Sequence, residues 1–411
     1  MKIVIIGAGI GGLTTALRLH QAGFEVKVFE SVKTIKPLGV GINLLPHSVR
    51  VLTQLGLQEK IAQNAIETSD LVYFNKFGQQ FWSEPRGRFA GYRWPQFSVH
   101  RGRLQLLLLE EMVARLGTHA LVVNHHLAHF EQSKDEVRAY FIDKETGEKI
   151  HEERADILIG ADGINSVVRH QLYPAEGPPV YSENVLYRGT TWMKPFLNGT
   201  SMAMIGSLKQ KMVVYPIEPN PDAQGRVFIN WVANLQEGAS KLTARDWNRE
   251  ADKARLVEIY KAWSYDWLDV PAMIDDAKAV YEFPMSDRNP LTQWTFGRVT
   301  LLGDAAHPMY PIGSNGASQA ILDADFLVEC LLQHPPTEAL RVYDQGRVPA
   351  TAQVVLQNRA KGPDQIMDMM EEWFPAGFES SQIPSAKLEE VMDNYKKVAG
   401  FDIISLNAKS A

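Results

Sequence analysis

KIVIIGAGIGGLTTALRLHQAGFEVKVFE, residues 2–30, passes from a β-branched run through four glycines into apolar residues at helical spacing, then into a second apolar run. The pattern predicts a strand, a tight turn, a helix and a second strand, one complete βαβ unit. Leu13, Ala16, Leu17 and Leu19 give the helix a buried side, Gly23 ends it, and Val26 and Val28 alternate into the second strand. The spacing also has a chemical reading. Gly7 permits the sharp turn, Gly9 lets the backbone approach a pyrophosphate, Gly11 lies in the same phosphate-facing turn, and Gly12 lets helix and strand pack closely. Free N–H groups and partial positive charge at the helix start suit phosphates. Glu30, eighteen residues after Gly12, stands where a carboxylate accepts hydrogen bonds from an adenosine ribose and repels a 2′-phosphate. A bare glycine turn predicts none of these coincidences, so the opening reads as a dinucleotide-binding unit.

The rest of the chain extends this unit. SVHRGRL, residues 98–104, leads into a helix with its arginines at the start. Residues 120–160 alternate as strands around a turn at Thr146-Gly147 and end in the apolar run ADILIGADG. Between about 175 and 285 the strands LYRGTTWM, MVVYPI and VFINWVANL alternate with polar turns, and a helix is expected around 247–263. Strand, loop and helix return at 299–333, so the nucleotide domain is discontinuous: 1–70, 96–175 and 286–360, with 71–95 and 176–285 forming a substrate domain. Gly362-Pro363 breaks the chain, and Leu388, Val391, Met392, Tyr395 and Val398 share one face of a docking helix in the tail, 361–411. The fold class is α/β (α+β mixed): a Rossmann-like dinucleotide domain, an inserted mostly antiparallel β-sheet domain and a C-terminal helical tail.

Composition narrows the function. With 411 residues, 45% of them hydrophobic and a formal charge of −6, the chain buries a large core and offers no general attraction to nucleic acid or an acidic membrane. Cys330 is the sole cysteine, and no segment has the basic start or long apolar run of a leader or membrane span, so a cytoplasmic protein, monomer or homodimer, is expected.

Three motifs in this order, GAGIGG with Glu30, GADG at 160–163 and LLGDAAHPMYPIGSNGA at 301–317, resemble the FAD-dependent aromatic hydroxylases with the para-hydroxybenzoate hydroxylase fold. The resemblance covers residues 1–360. PLGVGIN at 37–43, WSEPRG at 82–87, PQFSVHRGRLQ at 95–105 and GSNGASQAILD at 313–323 are similar to the phenazine-modifying branch of that family. It implies FAD as cofactor, NADH or NADPH as a transient donor, and an oxygen atom delivered from a flavin C4a-hydroperoxide to an electron-rich ring. Asp304 then meets the ribityl chain, Asp162 with Gly163 serves FAD and NAD(P)H, and Arg101, with Arg103 as a second candidate, contacts the cofactor. Gly39 and Gly41 match a loop that leaves room for a swinging flavin. Pro308 and Pro311 stiffen the third loop; Gly313, Gly316 and Ala317 let backbone and a helix N-terminus approach the flat ring. No second G-x-G-x-x-G is present, in keeping with a donor that does not stay bound.

Substrate residues are expected on the sheet over the flavin: Tyr187, Arg188, Trp192, Tyr215 and Trp231, although aromatics at alternating strand positions equally suit a core. Tyr215, His47 and Pro308 are the candidates for a catalytic part. His47 stands where much of the family has asparagine and reads first as a cap for the following helix, with a base or substrate contact as the alternative. Asn315 stands where many members carry glutamine. A flavin halogenase, a reductase, and a flavin-binding sensor without turnover are the competing functions; the halogenase W-x-W-x-I-P signature is absent.

Overall fold

The glycine-rich unit lies at the centre of a five-stranded parallel sheet ordered Val299–Leu301, Ile157–Gly160, Lys2–Ile6, Glu25–Phe29, Leu121–Val122. The computed structural model describes residues 1–37, 39–238 and 249–409. Lys2–Ile6 is buried along nearly its whole length, as expected of a parallel strand covered on both faces. The helix Ile10–Gln21 follows, with Leu13, Ala16, Leu17 and Leu19 fully buried, and Gly23 takes φ +84° just beyond its end. The strands are in register: Ile3, Val4, Ile5 and Ile6 pair with Val26, Lys27, Val28 and Phe29 on one side and with Ile157 to Gly160 on the other.

A second sheet of eight strands runs Arg249–Glu250, Val280–Asp287, Val180–Met193, Val227–Gln236, Gln210–Pro216, Met202–Ser207, Asp70–Phe74, Gln80–Pro85. Every pairing is antiparallel except Met202–Ser207 with Asp70–Phe74. One face packs against the short helices Lys253–Ile259 and Val270–Asp275, enclosing Tyr187, Trp231, Tyr260 and Trp263. The expected helix around 247–263 is therefore shorter. Asp252 caps it by accepting a bond from the Arg255 N–H at 3.1 Å, and residues 249–250 are drawn into an edge strand instead; 247 and 248 lie outside the described residues.

A three-stranded antiparallel sheet, His126–Gln132, Val137–Ile142 and Lys149–Ala155, fills the connection back to the parallel sheet, with its turn at Gly147. The tail helices Gln365–Trp373 and Ser385–Ala399 lie on the other face of the eight-stranded sheet. Leu388 and Met392 pack there with Leu71, Tyr73, Met202 and Met204. The docking face foreseen from helical spacing is used in full at Leu388, Met392 and Tyr395, with Val391 and Val398 at its margins. Among the described residues no helix is long and apolar enough to cross a membrane.

Candidate active site

The three motifs GAGIGG with Glu30, GADG and LLGDAAHPMYPIGSNGA converge on one end of the parallel sheet. Gly7 follows the strand ending at Ile6, Glu30 the strand ending at Phe29, Ala161 and Asp162 the strand ending at Gly160, and Leu302 to Asp304 the strand ending at Leu301. These are the carboxyl ends of parallel strands, where open α/β sheets take their ligands. Within the glycine turn each position has its own constraint. Gly7 has φ +104°, and a Cβ there would lie 2.4 Å from the Ala161 carbonyl oxygen. A Cβ on Gly12 would lie 2.0 Å from the Gly7 oxygen, and one on Gly11 would lie 2.9 Å from Leu302 Cδ2. Gly9 is different: a Cβ there would meet no atom of the described residues within 4 Å. Gly7 and Gly12 are required by backbone contacts and Gly11 is crowded by the end of the Leu302 side chain, whereas Gly9 faces open space at the start of the helix.

Glu30 closes the same turn. One carboxylate oxygen accepts the Ala8 N–H at 2.9 Å and the other accepts the Val32 N–H at 3.0 Å. Gln105, on the helix Arg101–Leu116, donates to the Ala8 carbonyl at 2.8 Å and so braces the turn from the opposite side. Arg101 begins that helix, exposed and packed over Gly39, while Arg103 is ion-paired with Glu218 of the eight-stranded sheet's margin.

Asp162 caps the helix Val167–Leu172, accepting bonds from Ser166 Oγ at 2.5 Å and the Val167 N–H at 2.7 Å; burial raises its pKa against the pull of these bonds. Asp304 is exposed, and the start of the helix Gly316–Gln333 faces it, a Cβ on Gly316 lying 4.0 Å from its Oδ1. Behind it, His307 Nε2 is 2.5 Å from Asp323 Oδ2, and Arg347 Nε donates to Asp323 Oδ1 at 2.7 Å. Burial works against the Asp323 charge, yet His307 and Arg347 outweigh it and bring the pKa down to about 2. Arg169, 1% exposed, donates to the carbonyls of Ala305 and Ala306 at 3.1 and 2.7 Å and pairs with Glu176. It ties the second motif to the third. Gln105 and Arg169 escaped the sequence reading because their backbone partners lie about a hundred residues away, and Asp323 and Arg347 because helical spacing alone does not show which polar residue turns back onto the preceding loop or helix.

The loop 311–315 is held by the tail. Asn315 Nδ2 donates to the Gly313 carbonyl at 3.1 Å and to the Tyr395 hydroxyl at 2.8 Å, and that hydroxyl donates to Asn358 Oδ1 at 2.8 Å. Asparagine in place of glutamine thus has a local partner. Gly313 has φ +68°, and a Cβ on it would strike the Tyr395 hydroxyl.

Beside this loop lies a cavity, partly open to solvent, walled by Pro311, Gly313 and Ser314, by one face of the eight-stranded sheet, and by Met392, Tyr395 and Phe401 of the tail. Leu71, Met202, Met204 and Val213 make its sheet wall apolar. The expected substrate residues do not line it. Tyr187 and Trp231 are corrected outright, because they alternate onto the opposite face; Trp231 is fully buried, and its indole N–H donates to Thr191 Oγ1 at 3.1 Å. Arg188, Trp192 and Tyr215 share the cavity's face of the sheet but lie further along it. Arg188 stacks on Phe283 at 5.4 Å, Trp192 on Phe228 at 4.9 Å, and Tyr215 touches the site of a Gly41 Cβ. Burial, with Arg101 nearby, lowers the Arg188 pKa, and burial raises that of Tyr215. Gly41 makes room for Tyr215 and Asn230 rather than for empty space, and its N–H donates to Asn230 Oδ1 at 2.6 Å. Pro308 is buried beneath the loop, whereas Pro311 faces the cavity.

His47 does not cap its helix. The chain enters the helix Pro46–Gln54 through Leu45, with no side-chain capping bond. The ring is 1% exposed, lies 5.4 Å from Phe401, and neither nitrogen has a partner among the described residues. Burial first, and then the charges of Arg347, Lys409 and Arg50, lower its pKa to about 3, so it is neutral at working pH.

Residues 1–358 match the family model described as FAD binding domain. The chain is 41% identical over 361 residues to phenazine 1,6-dicarboxylic acid hydroxylase PhzS of Lysobacter antibioticus, covering 87% of this chain and 89% of that protein. It is 30% identical over 364 residues to 6-hydroxynicotinate 3-monooxygenase of Bordetella bronchiseptica, covering 86% and 89%. Its fold is similar to that of Klebsiella pneumoniae HpxO complexed with FAD and uric acid, with a TM-score of 0.75, 22% identity and coverage of 98% and 97%. A salicylate hydroxylase substrate complex gives the same TM-score at 22% identity, covering 100% and 98%.

Proposed function

This chain belongs to the FAD-binding-domain family of flavoprotein hydroxylases, and on that premise we propose that its substrate is a fused heteroaromatic acid of the phenazine kind. It is an FAD-dependent aromatic monooxygenase driven by NAD(P)H and O2. The residues present fit the flavin nucleotide: Gly9 leaves a cradle that a Cβ would fill, and Asp304 is a carboxylate with no partner among the described residues. Gly7, Gly9, Gly11 and Gly12 with the helix start would hold the pyrophosphate, Glu30 the adenosine ribose, Asp304 the ribityl chain, and Pro311, Gly313, Gly316 and Ala317 the ring, with Arg101, Asp162 and Gly41 around it. When bound, FAD accepts hydride from NAD(P)H and activates O2.

This chain's own residues do the rest. The apolar wall of Leu71, Met202, Met204 and Val213 excludes water and lies flat against a planar ring. Tyr215, kept protonated by burial, and the neutral His47 are positioned by packing and give the site no titrating base near neutral pH. The cavity between the loop 311–314 and the sheet carries the substrate reading, supported by the 41% identity to a phenazine acid hydroxylase. The test is product mass. With NAD(P)H and air, phenazine-1-carboxylate is expected to gain one oxygen atom; oxygenation of salicylate but not of the phenazine would replace the substrate class.

A further inference from the structure

Two hydrogen-bond donors in the cavity wall have no acceptor. The Tyr73 hydroxyl belongs to a fully buried side chain and has no partner among the described residues. Arg86, from the WSEPRG stretch, is 11% exposed in its side chain, and its Nε–H is likewise buried and unpartnered. Both residues line the cavity. Burial, the largest influence on Tyr73, raises its pKa well above the ordinary phenol value, so the hydroxyl remains a donor. Buried polar atoms without partners are rare in proteins, and these two donors, beside the buried oxygens of Glu84 and Asp364 Oδ1 that likewise lack a hydrogen-bond partner among the described residues, point to a ligand group that completes the wall.

Arg86 Nη2 lies 3.0 Å from Glu84 Oε1, and Lys396 Nζ of the tail lies 3.5 Å from Glu84 Oε2. Lys211 pairs with Asp364 in the same wall. Lys396 also pairs with the exposed Asp393 at 3.1 Å, so the three cations are matched by three carboxylates, of which Glu84 and Asp364 are buried and Asp393 faces solvent. The pull on a ligand anion therefore comes from the unmet donor atoms and not from a net charge of the wall.

We propose that the substrate's carboxylate docks between the Tyr73 hydroxyl and the Arg86 guanidinium, with Lys396 as a second cation supplied by the C-terminal tail. The proposal rests on the reading of this cavity as the aromatic site. It makes Arg86 and Tyr73 determinants of specificity for acids over their neutral analogues. It also gives the tail a part in recognition, although the tail lies beyond the family match, which ends at residue 358.

The test compares phenazine-1-carboxylate with phenazine-1-carboxamide on the FAD-loaded enzyme, reading ligand affinity from the flavin absorbance shift and kcat and KM from product formation. The wild type is expected to favour the acid by roughly tenfold or more in kcat/KM. Arg86→Gln should bring that ratio near unity, chiefly through KM. Tyr73→Phe, which removes one oxygen atom and leaves the ring packing, and Lys396→Met should each lower the ratio severalfold and carry the test if Arg86→Gln fails to load flavin. Equal use of acid and amide by the wild type overturns the proposal while leaving the hydroxylase reading intact. A ratio unchanged in all three variants also overturns it. If neither compound binds or is oxygenated, the aromatic-site reading falls, and the proposal with it.

Discussion

Gly9 and Gly12 are three residues apart and are predicted to fail in opposite ways. A methyl group at Gly12 runs into the Gly7 carbonyl, whereas one at Gly9 meets no atom of the described residues within 4 Å. Gly12→Ala should therefore unfold or strongly destabilise the apoprotein. Gly9→Ala should leave its stability within about 0.5 kcal/mol, as an open position allows, yet weaken FAD binding by roughly tenfold or more; thermal melts of the apoprotein and flavin titration separate the two. His47 makes a second prediction. Its folded-state pKa of about 3 lies below the ordinary 6.5, so the unfolded chain takes up the proton first. Its contribution to stability is complete above pH 6.5 and is lost as pH falls toward 3, at up to about 1.4 kcal/mol per pH unit. Denaturant titrations at pH 7.5 and 5.5 should show a smaller loss for His47→Leu than for the wild type. An equal loss would show that the ring takes up its proton in the folded protein. The buried, unpartnered state of this histidine was not legible in the sequence, because Phe401, its neighbour, is more than 350 residues away.

Whole elements were legible where one local rule governed them. The first strand, turn, helix and strand follow from residues 2–30 alone, since period, glycine spacing and the terminal carboxylate all belong to one unit. The substrate wall was not, because which face of a strand meets the flavin depends on sheet order. Tyr187 and Arg188 are adjacent, yet one enters the helix-covered core and the other the opposite face. A shift of one residue exchanges the faces completely. The tail's docking helix was visible in its apolar spacing, but not its bond to the loop 313–315, which needs Asn315 beside Tyr395. Arg169 illustrates the same limit, joining the short helix after Gly163 to the carbonyls of the third motif. Arg169→Met leaves the carbonyls of Ala305 and Ala306 without their buried donor while Glu176 keeps Arg288, and is predicted to cost about 2–3 kcal/mol. Chemical denaturation measures this directly, and a cost below about 1 kcal/mol, the range of an exposed pair, would contradict the structural role.

At the scale of the whole molecule, a parallel sheet presents four strand ends to a nucleotide, and an antiparallel sheet with its tail supplies the wall opposite. The cavity lies where the two meet, at the loop 311–315, so on the proposed reading one short segment couples the cofactor to the ring. This arrangement predicts an enzyme whose consumption of NAD(P)H answers to its aromatic ligand. The most direct measurement is the rate of NAD(P)H oxidation by the FAD-loaded protein with and without phenazine-1-carboxylate, alongside the yield of oxygenated product. Stimulation with close to one product per NAD(P)H consumed is the expected result. Tight FAD binding with no stimulation by this or any other aromatic acid, and no product, would contradict the account and leave a flavin-binding protein without turnover.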